Sequence, residues 1–295
     1  ALRDGAPLRL DQSEVPAFEE SPHGALLSGH QALRLVPDQA QRVDHVLVQA
    51  AGQEPRRIRA RVFVVAAGVI ESARLLLLSR SPWHPSGLGN AADLVGRHFV
   101  EHATVNWRGV ARRPRALPPG LHRSYDFHDS FRREHLNACH VQLFADEPRP
   151  DGSQVVFWKL QPEMQSRPEN RVTLSGSQRD PLGNATPDVR LAYSERDRRT
   201  IERGTALLRD ELGAAGLTPD APARSATWRA HPAGTCRMGF GADSGVVDRH
   251  QRVFGVDNVY VSGACVFPTS GTANPTLTVV ALTLRLAEHL VESLA

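Results

Sequence analysis

The 295-residue chain predicts an α/β fold with a second part built on an antiparallel sheet. Three observations carry this. Val62–Gly68 reads VFVVAAG, a buried-type strand closing on a glycine, and Ile70–Ser79 continues it as a helix that can bury Leu75, Leu76 and Leu78. Asn258–Ser262 (NVYVS) is a second short strand, followed by the small residues Gly263 and Ala264 and then by a long helical pattern. Between these two units, polar and apolar residues alternate at His140–Phe144, Val155–Leu160 and Arg171–Leu174, as expected of antiparallel strands with one face on a core.

Size and composition exclude several classes. The length suffices for one or two domains, with 41% hydrophobic and 23% charged residues, the balance of an ordinary globular protein. No apolar run approaches the roughly 20 residues of a membrane helix. Of 35 basic residues only Lys159 is a lysine. The arginines are scattered and offset by 32 acids, without the basic stripe or interleaved aromatics of a nucleic-acid surface. Cys139, Cys236 and Cys265 are odd in number and widely spaced, which argues against a disulfide framework or zinc site. His98 and His102 stand at i, i+4 but lack a third ligand, so no metal site is expected and both are read as structural.

In chain order, the first residues carry neither a start methionine nor a leader pattern. Ala32–Leu35, Val43–Val48 and Ile58–Val65 read as three strands separated by polar turns. Residues 107–135, rich in Arg, Pro and His, read as surface loops or a subunit contact. Glu195–Leu212 reads as a helix burying Ile201, Ala206, Leu207 and Leu212.

The segment from His231 to Leu294 organises the rest. Asn274 suits a helix N-cap and Pro275 the first helical position, where no amide donor is needed. Leu277, Val280, Ala281, Leu284, Ala287 and Val291 then form one apolar face, with Arg285, Glu288, His289 and Glu292 on the wetter side. The positive end of this helix is aimed out of the loop 269–273, where negative charge is well placed. Strand, small-residue turn at Gly263 and Ala264, loop and helix make a plausible cofactor edge. His231 precedes Asn274 by 43 positions.

HPAGTCRMG, GVVD, RVFGVDNVYVSGACVFPTSG and ANPTLTVVALTLRLAEHL resemble, in order and spacing, the C-terminal signature of the glucose–methanol–choline (GMC) family of FAD-dependent oxidoreductases. VFVVAAGVIESARLLLLS with GLGNAADLVGRHFVEH resembles that family's second conserved block, and QPEMQSRPENRVTLSGSQRDPLGNATPDVRLAY a run between its substrate-domain strands.

The resemblance implies a doubly wound FAD-binding domain, split in sequence over 1–102 and 226–295, and an α+β substrate domain over 103–225 with an antiparallel sheet. It implies FAD as cofactor. Leu33 would meet the adenine end, Ala66, Ala67 and Gly68 would pass near the ADP part, and Gly263, Ala264, Asn274, Pro275 and Thr276 would line the flavin end. The family's GxGxxG turn is absent from the sequence. A fragment lacking its N-terminal third or more is therefore expected.

The resemblance also implies a His/Asn pair, His231 and Asn274, over the flavin. Alcohol oxidation removes a hydride from carbon and a proton from oxygen. A histidine suits the proton, because its ordinary pKa is about 6.5. The expected partners are a small alcohol, polyol or sugar and an electron acceptor (quinone, cytochrome or O2). Dehydrogenase is the leaning, oxidase stays open, and an oligomer is possible. Arg237 and the cysteines are read as structural. Two rivals stay open: a non-redox lyase of the same family, and a degenerate non-catalytic partner subunit.

Overall fold

The computed structural model describes residues 2–3, 6–7, 14–111, 119–125, 127–214, 217–219, 224–225 and 231–295, with backbone alone for 2–7 and 217–225. In chain order it forms β1 (Leu2–Arg3), β2 (Ala6–Pro7), α1 (Glu14–Glu20), β3 (His30–Gln39), β4 (Arg42–Ala50), β5 (Arg56–Arg59), β6 (Phe63–Val65) and α2 (Gly68–Leu78). Then come β7 (Val105–Ala111), β8 (Gly120–Ser124), α3 (His128–Arg133), β9 (Cys139–Ala145), β10 (Gln154–Pro162), β11 (Arg171–Arg179), β12 (Ala185–Arg190) and α4 (Glu195–Ala214). The chain closes with β13 (Leu217–Pro219), β14 (Arg224–Ser225), β15 (Val259–Val261) and α5 (Thr276–Leu294).

Two apolar clusters organise these elements. The first gathers Val65, Leu76, Val100, Val247, Val261 and Val266 around α2 and the parallel pair β6–β15. That pair joins segments almost 200 positions apart and leaves the two small-residue turns, 66–68 and 263–264, side by side at its carboxyl ends, with the Ser262 amide on the Val65 carbonyl (2.9 Å). The crevice outside strand ends of this kind is where open α/β sheets hold nucleotides. The expected Ile58–Val65 strand is in fact two: β5 pairs with β4, whereas β6 pairs with β15. The exposed Arg59–Arg61 step lets the chain change sheets.

The second cluster packs Val105, Trp107, Val141, Val156, Trp158 and Leu160 against Leu208 and Leu212 of α4. It lies beneath an antiparallel sheet of order β13-β7-β10-β9-β8, with β14 also on β7. Residues 107–111 and 120–124, expected as loops, are strands. Their signal is period two: Val105, Trp107, Gly109 and Ala111 point inward between exposed Asn106 and Arg108. Residues 112–118 and 126 of the same expectation lie outside the described residues. Of the three alternating runs, β9 and β10 pair here, but β11 forms a separate ribbon with β12. The buried Arg74 of α2 bridges Asp180 at the tip of that ribbon (2.5 Å).

On α4 the inward stripe is Asp197, Thr200, Gly204, Leu208 and Leu212; of the expected residues Leu212 is buried, Ile201 and Leu207 pack against the same cluster, and Ala206 is exposed. A Cβ at Gly204 would lie 2.7 Å from Leu160 Cδ2, so the Leu160 side chain would have to shift to admit one. On α5 the predicted apolar face is the outward one: Leu277, Val280, Leu284 and Val291 are 50–81% exposed. Val279, Leu282 and Leu286 pack inward instead. The helix is apolar on both sides, so periodicity alone does not choose between them.

Candidate active site

The backbone at His231 is fixed from two directions. The segment 233–238 lies between 96–100 and 264–266: Gly96 N–H meets the Thr235 carbonyl (2.7 Å), Val100 and Ala233 exchange bonds, and Cys236 N–H meets the Cys265 carbonyl (2.8 Å). Gly234 (φ +96°) makes this approach possible, since a Cβ there would stand 2.2 Å from the His98 carbonyl oxygen. The fully buried cysteines serve this packing. Arg237 turns to His98 (3.2 Å), and His98 to Ser166 (3.1 Å). His98 and His102 therefore address different partners.

Buried Glu101 closes the arrangement. Its Oε1 accepts the backbone N–H of both His102 and His231, each at 2.9 Å. The rings of His102 and His231 meet edge-on, Nδ1 to Nδ1, at 3.0 Å. His102 Nε2 reaches the Gly271 carbonyl at 2.9 Å. A carbonyl only accepts, so His102 carries its proton on Nε2 and presents a lone pair at Nδ1. His231 must then donate from Nδ1, which leaves its Nε2 unprotonated. This order holds while His102 is neutral. Burial pushes its pKa down to about 4, with the neighbouring His231 adding to the shift. Burial and then Lys159 also depress His231. The sequence reading took His102 as structural and missed this coupling.

Asn274 does not cap α5. Helical backbone begins at Pro275, and no side chain caps it. Asn274 Oδ1 instead accepts from Gln142 Nε2 (3.2 Å), whose second proton goes to His140 Nε2 (3.0 Å). With its oxygen occupied, the Asn274 NH2 is the group left to donate. Gln161 holds the Thr272 carbonyl (2.8 Å). The loop that carries Asn274 is thus fastened by His102, Gln161 and Gln142, two of them on the antiparallel sheet.

That sheet turns a polar face to the site. Cross-strand register sets Gln161 beside His140, and Tyr125 stacks on His140 at 5.2 Å. The next row runs Asn106, Lys159, Gln142, Arg123. The outermost runs Arg108, Phe157, Phe144, Leu121, with the Arg108 guanidinium 5.7 Å from the Phe157 ring centre. Burial lowers the His140 pKa to about 4, reinforced by Arg123 and Lys159.

Of the expected cofactor contacts, Ala66–Gly68 and Gly263–Ala264 lie at the carboxyl ends of β6 and β15. Ala66, Ala67 and Gly68 are exposed there, and Leu33 is half-buried on β3. Gly68 is left-handed (φ +76°), and a Cβ on it would meet nothing within 4 Å, so its backbone faces open space. Two clefts, of about 500 and 400 Å³, share Ala32, Ala67 and Leu75. Gly263 (φ +124°, ψ −177°) opens the turn into Ala264–Val266. Thr276 is exposed in the first turn of α5. Bare backbone, adjacent clefts and a helix N-terminus suit an anionic dinucleotide.

Residues 166–283 match the sequence model of the family described as GMC oxidoreductase. Among relatives, the chain is 33% identical to 6'''-hydroxyparomomycin C oxidase of Streptomyces lividus, over 93% of this chain and 53% of the relative. It is 34% identical to paromamine 6'-oxidase of Streptomyces fradiae (90% and 52%), and 27% to the fructose dehydrogenase large subunit of Gluconobacter japonicus (87% and 52%). The chain spans about half the length of the curated relatives it matches. In fold it superposes on pyridoxine 4-oxidase from Mesorbium loti with a TM-score of 0.72, at 24% identity, covering 99% of this chain and 63% of that one. Motifs, fold and relatives agree in matching this chain to the C-terminal portion of the glucose–methanol–choline oxidoreductases.

Proposed function

We propose that the protein to which this chain belongs is an FAD-dependent oxidoreductase that oxidises a CH–OH group of a sugar, polyol or related alcohol. Residues 1–102 and 226–295 are read as its cofactor part and 103–225 as its substrate part. The observation that carries the reading is the proton order across His102 and His231, which leaves His231 Nε2 as a base. FAD, when bound, supplies the hydride acceptor. Leu33, Ala66, Ala67, Gly68, Gly263, Ala264, Pro275 and Thr276 would hold it, with the positive end of α5 meeting negative charge.

His231 Nε2 takes the hydroxyl proton as carbon gives up its hydride. The Asn274 NH2 donates to the same oxygen and steadies the developing alkoxide. Gln142 orients that amide through Oδ1. For the acceptor we keep a dehydrogenase reading, supported by the fructose and 2-methyl-1,2-propanediol dehydrogenases among the relatives. Slow reoxidation of the reduced holoenzyme in air-saturated buffer tests it.

The test of the base is anaerobic flavin bleaching across pH. His231→Ala should slow bleaching about 10²- to 10⁴-fold with FAD content retained, the usual worth of a general base. Asn274→Ala should slow it too, with little change in melting, because no cap is lost. A His231→Ala rate within threefold of wild type, with the same pH profile, would overturn the assignment.

A further inference from the structure

The polar face of the antiparallel sheet has a one-sided charge. Its three rows carry Lys159, Arg123 and Arg108 and, among the described residues, no carboxylate. Several buried or half-buried arginines elsewhere are matched: Arg74 with Asp180 and Glu71, and Arg97 and Arg171 with Asp93. Lys159, half-buried and the single lysine in the sequence, makes no ion pair or hydrogen bond with any described residue. The acid that acts on it is Glu101, whose Oε1 accepts two backbone amides. Burial nevertheless pushes its ammonium pKa down, so its charge is held at a cost that a ligand can relieve.

Its position is equally specific. Lys159 stands directly across the strands from Gln142, the residue that grips Asn274. Opposed side chains of paired strands start about 5 Å apart, and successive rows about 7 Å apart. Arg123 flanks Gln142 on its other side. An alcohol held at His231 and Asn274 therefore places a group one sugar ring away beside the ammonium.

We propose that the substrate alcohol carries an anionic group, a carboxylate as in a sugar acid, and that Lys159 binds it with Arg123 as the second cation. This rests on the oxidation reading above and adds the charge of its substrate. Cation and carboxylate form a charge-assisted hydrogen bond, stronger than any contact a neutral hydroxyl makes there. The aromatic row of Phe157 and Phe144 lies beyond, under the rest of the molecule.

The experiment compares, on the holoenzyme, a sugar acid with its uncharged amide and with an amino sugar. The acid should exceed its amide in kcat/KM by about 10- to 150-fold, the range of one hydrogen bond to a charged group, chiefly through KM. Lys159→Met should erase most of that ratio. Calorimetric titration of the oxidised holoenzyme with a sugar lactone-derived acid that it does not turn over gives a readout independent of catalysis. Binding should weaken with Lys159→Met and with added salt. Acid and amide within threefold of each other, or acid binding unaffected by Lys159→Met, would overturn the proposal. Bleaching by no alcohol of any charge would count against the oxidation reading instead, while the titration still decides the role of Lys159.

Discussion

His102 touches neither substrate nor cofactor in the proposed reaction, yet its replacement tests the reasoning most sharply. It accepts the Nδ1 proton of His231 and is itself anchored on the Gly271 carbonyl. When His231 takes the substrate proton, that bond becomes one to a cation. Hydrogen bonds to charged groups contribute about 1.5–3 kcal/mol net, and each 1.36 kcal/mol is tenfold in rate. His102→Leu should therefore slow flavin reduction about 10- to 150-fold, with KM little changed. His102→Gln, whose amide oxygen can accept the same proton, should recover part of the loss. The rising limb of the pH profile should move as well, because the bond helps set the His231 pKa. Stopped-flow bleaching of the three proteins between pH 5 and 9 reads all of this. His102→Leu within threefold of wild type and with an unmoved limb would show that the base is not ordered by His102.

Two further outcomes concern stability. His102 and His140 have pKa values of about 4 in the fold against 6.5 ordinarily, so the unfolded chain binds their protons more readily. Their stabilisation is complete above pH 6.5 and is lost as pH falls toward 4, amounting to roughly 3 kcal/mol for each group by linkage. Chemical denaturation of wild type and His140→Gln from pH 7.5 to 4 should show the variant losing less, and parallel curves would contradict the assignment. Asp180→Ala leaves the buried Arg74 guanidinium with the Ala185 carbonyl and, as its remaining carboxylate, only the exposed Glu71, and should cost about 3–5 kcal/mol. A change below 1 kcal/mol in the same denaturation would show that the bridge is replaced by water.

The sequence made the strands legible where burial alternates or runs continuous, as in β4, β9, β10 and the β6–α2 unit. It misled where one residue pattern fits two environments. The outer stripe of α5 is as apolar as its inner one, and Ala206 costs nothing on either side of α4. His231 and Asn274 were legible through their motifs, but their orientation was not. Gln142 lies 132 positions from Asn274, and only strand register brings the two together. His98 and His102, at i, i+4 without a third ligand, read as structural, whereas His102 faces across the fold to His231. Lys159 was visible as a solitary lysine, and pairing across the sheet gives that fact its meaning.

The fastening of loop 271–274 bears on how such a protein could change its diet. Gln142 and Gln161 serve two masters, since they floor the cleft and also hold the backbone on which Asn274 rides. A substitution of either glutamine alters turnover for every substrate at once. Arg108, Phe157, Phe144 and Leu121, one or two rows farther out, hold none of the loop. Natural drift and laboratory selection for new substrates should therefore collect changes in the outer row first, and reach the two glutamines only in company with compensating changes in the loop.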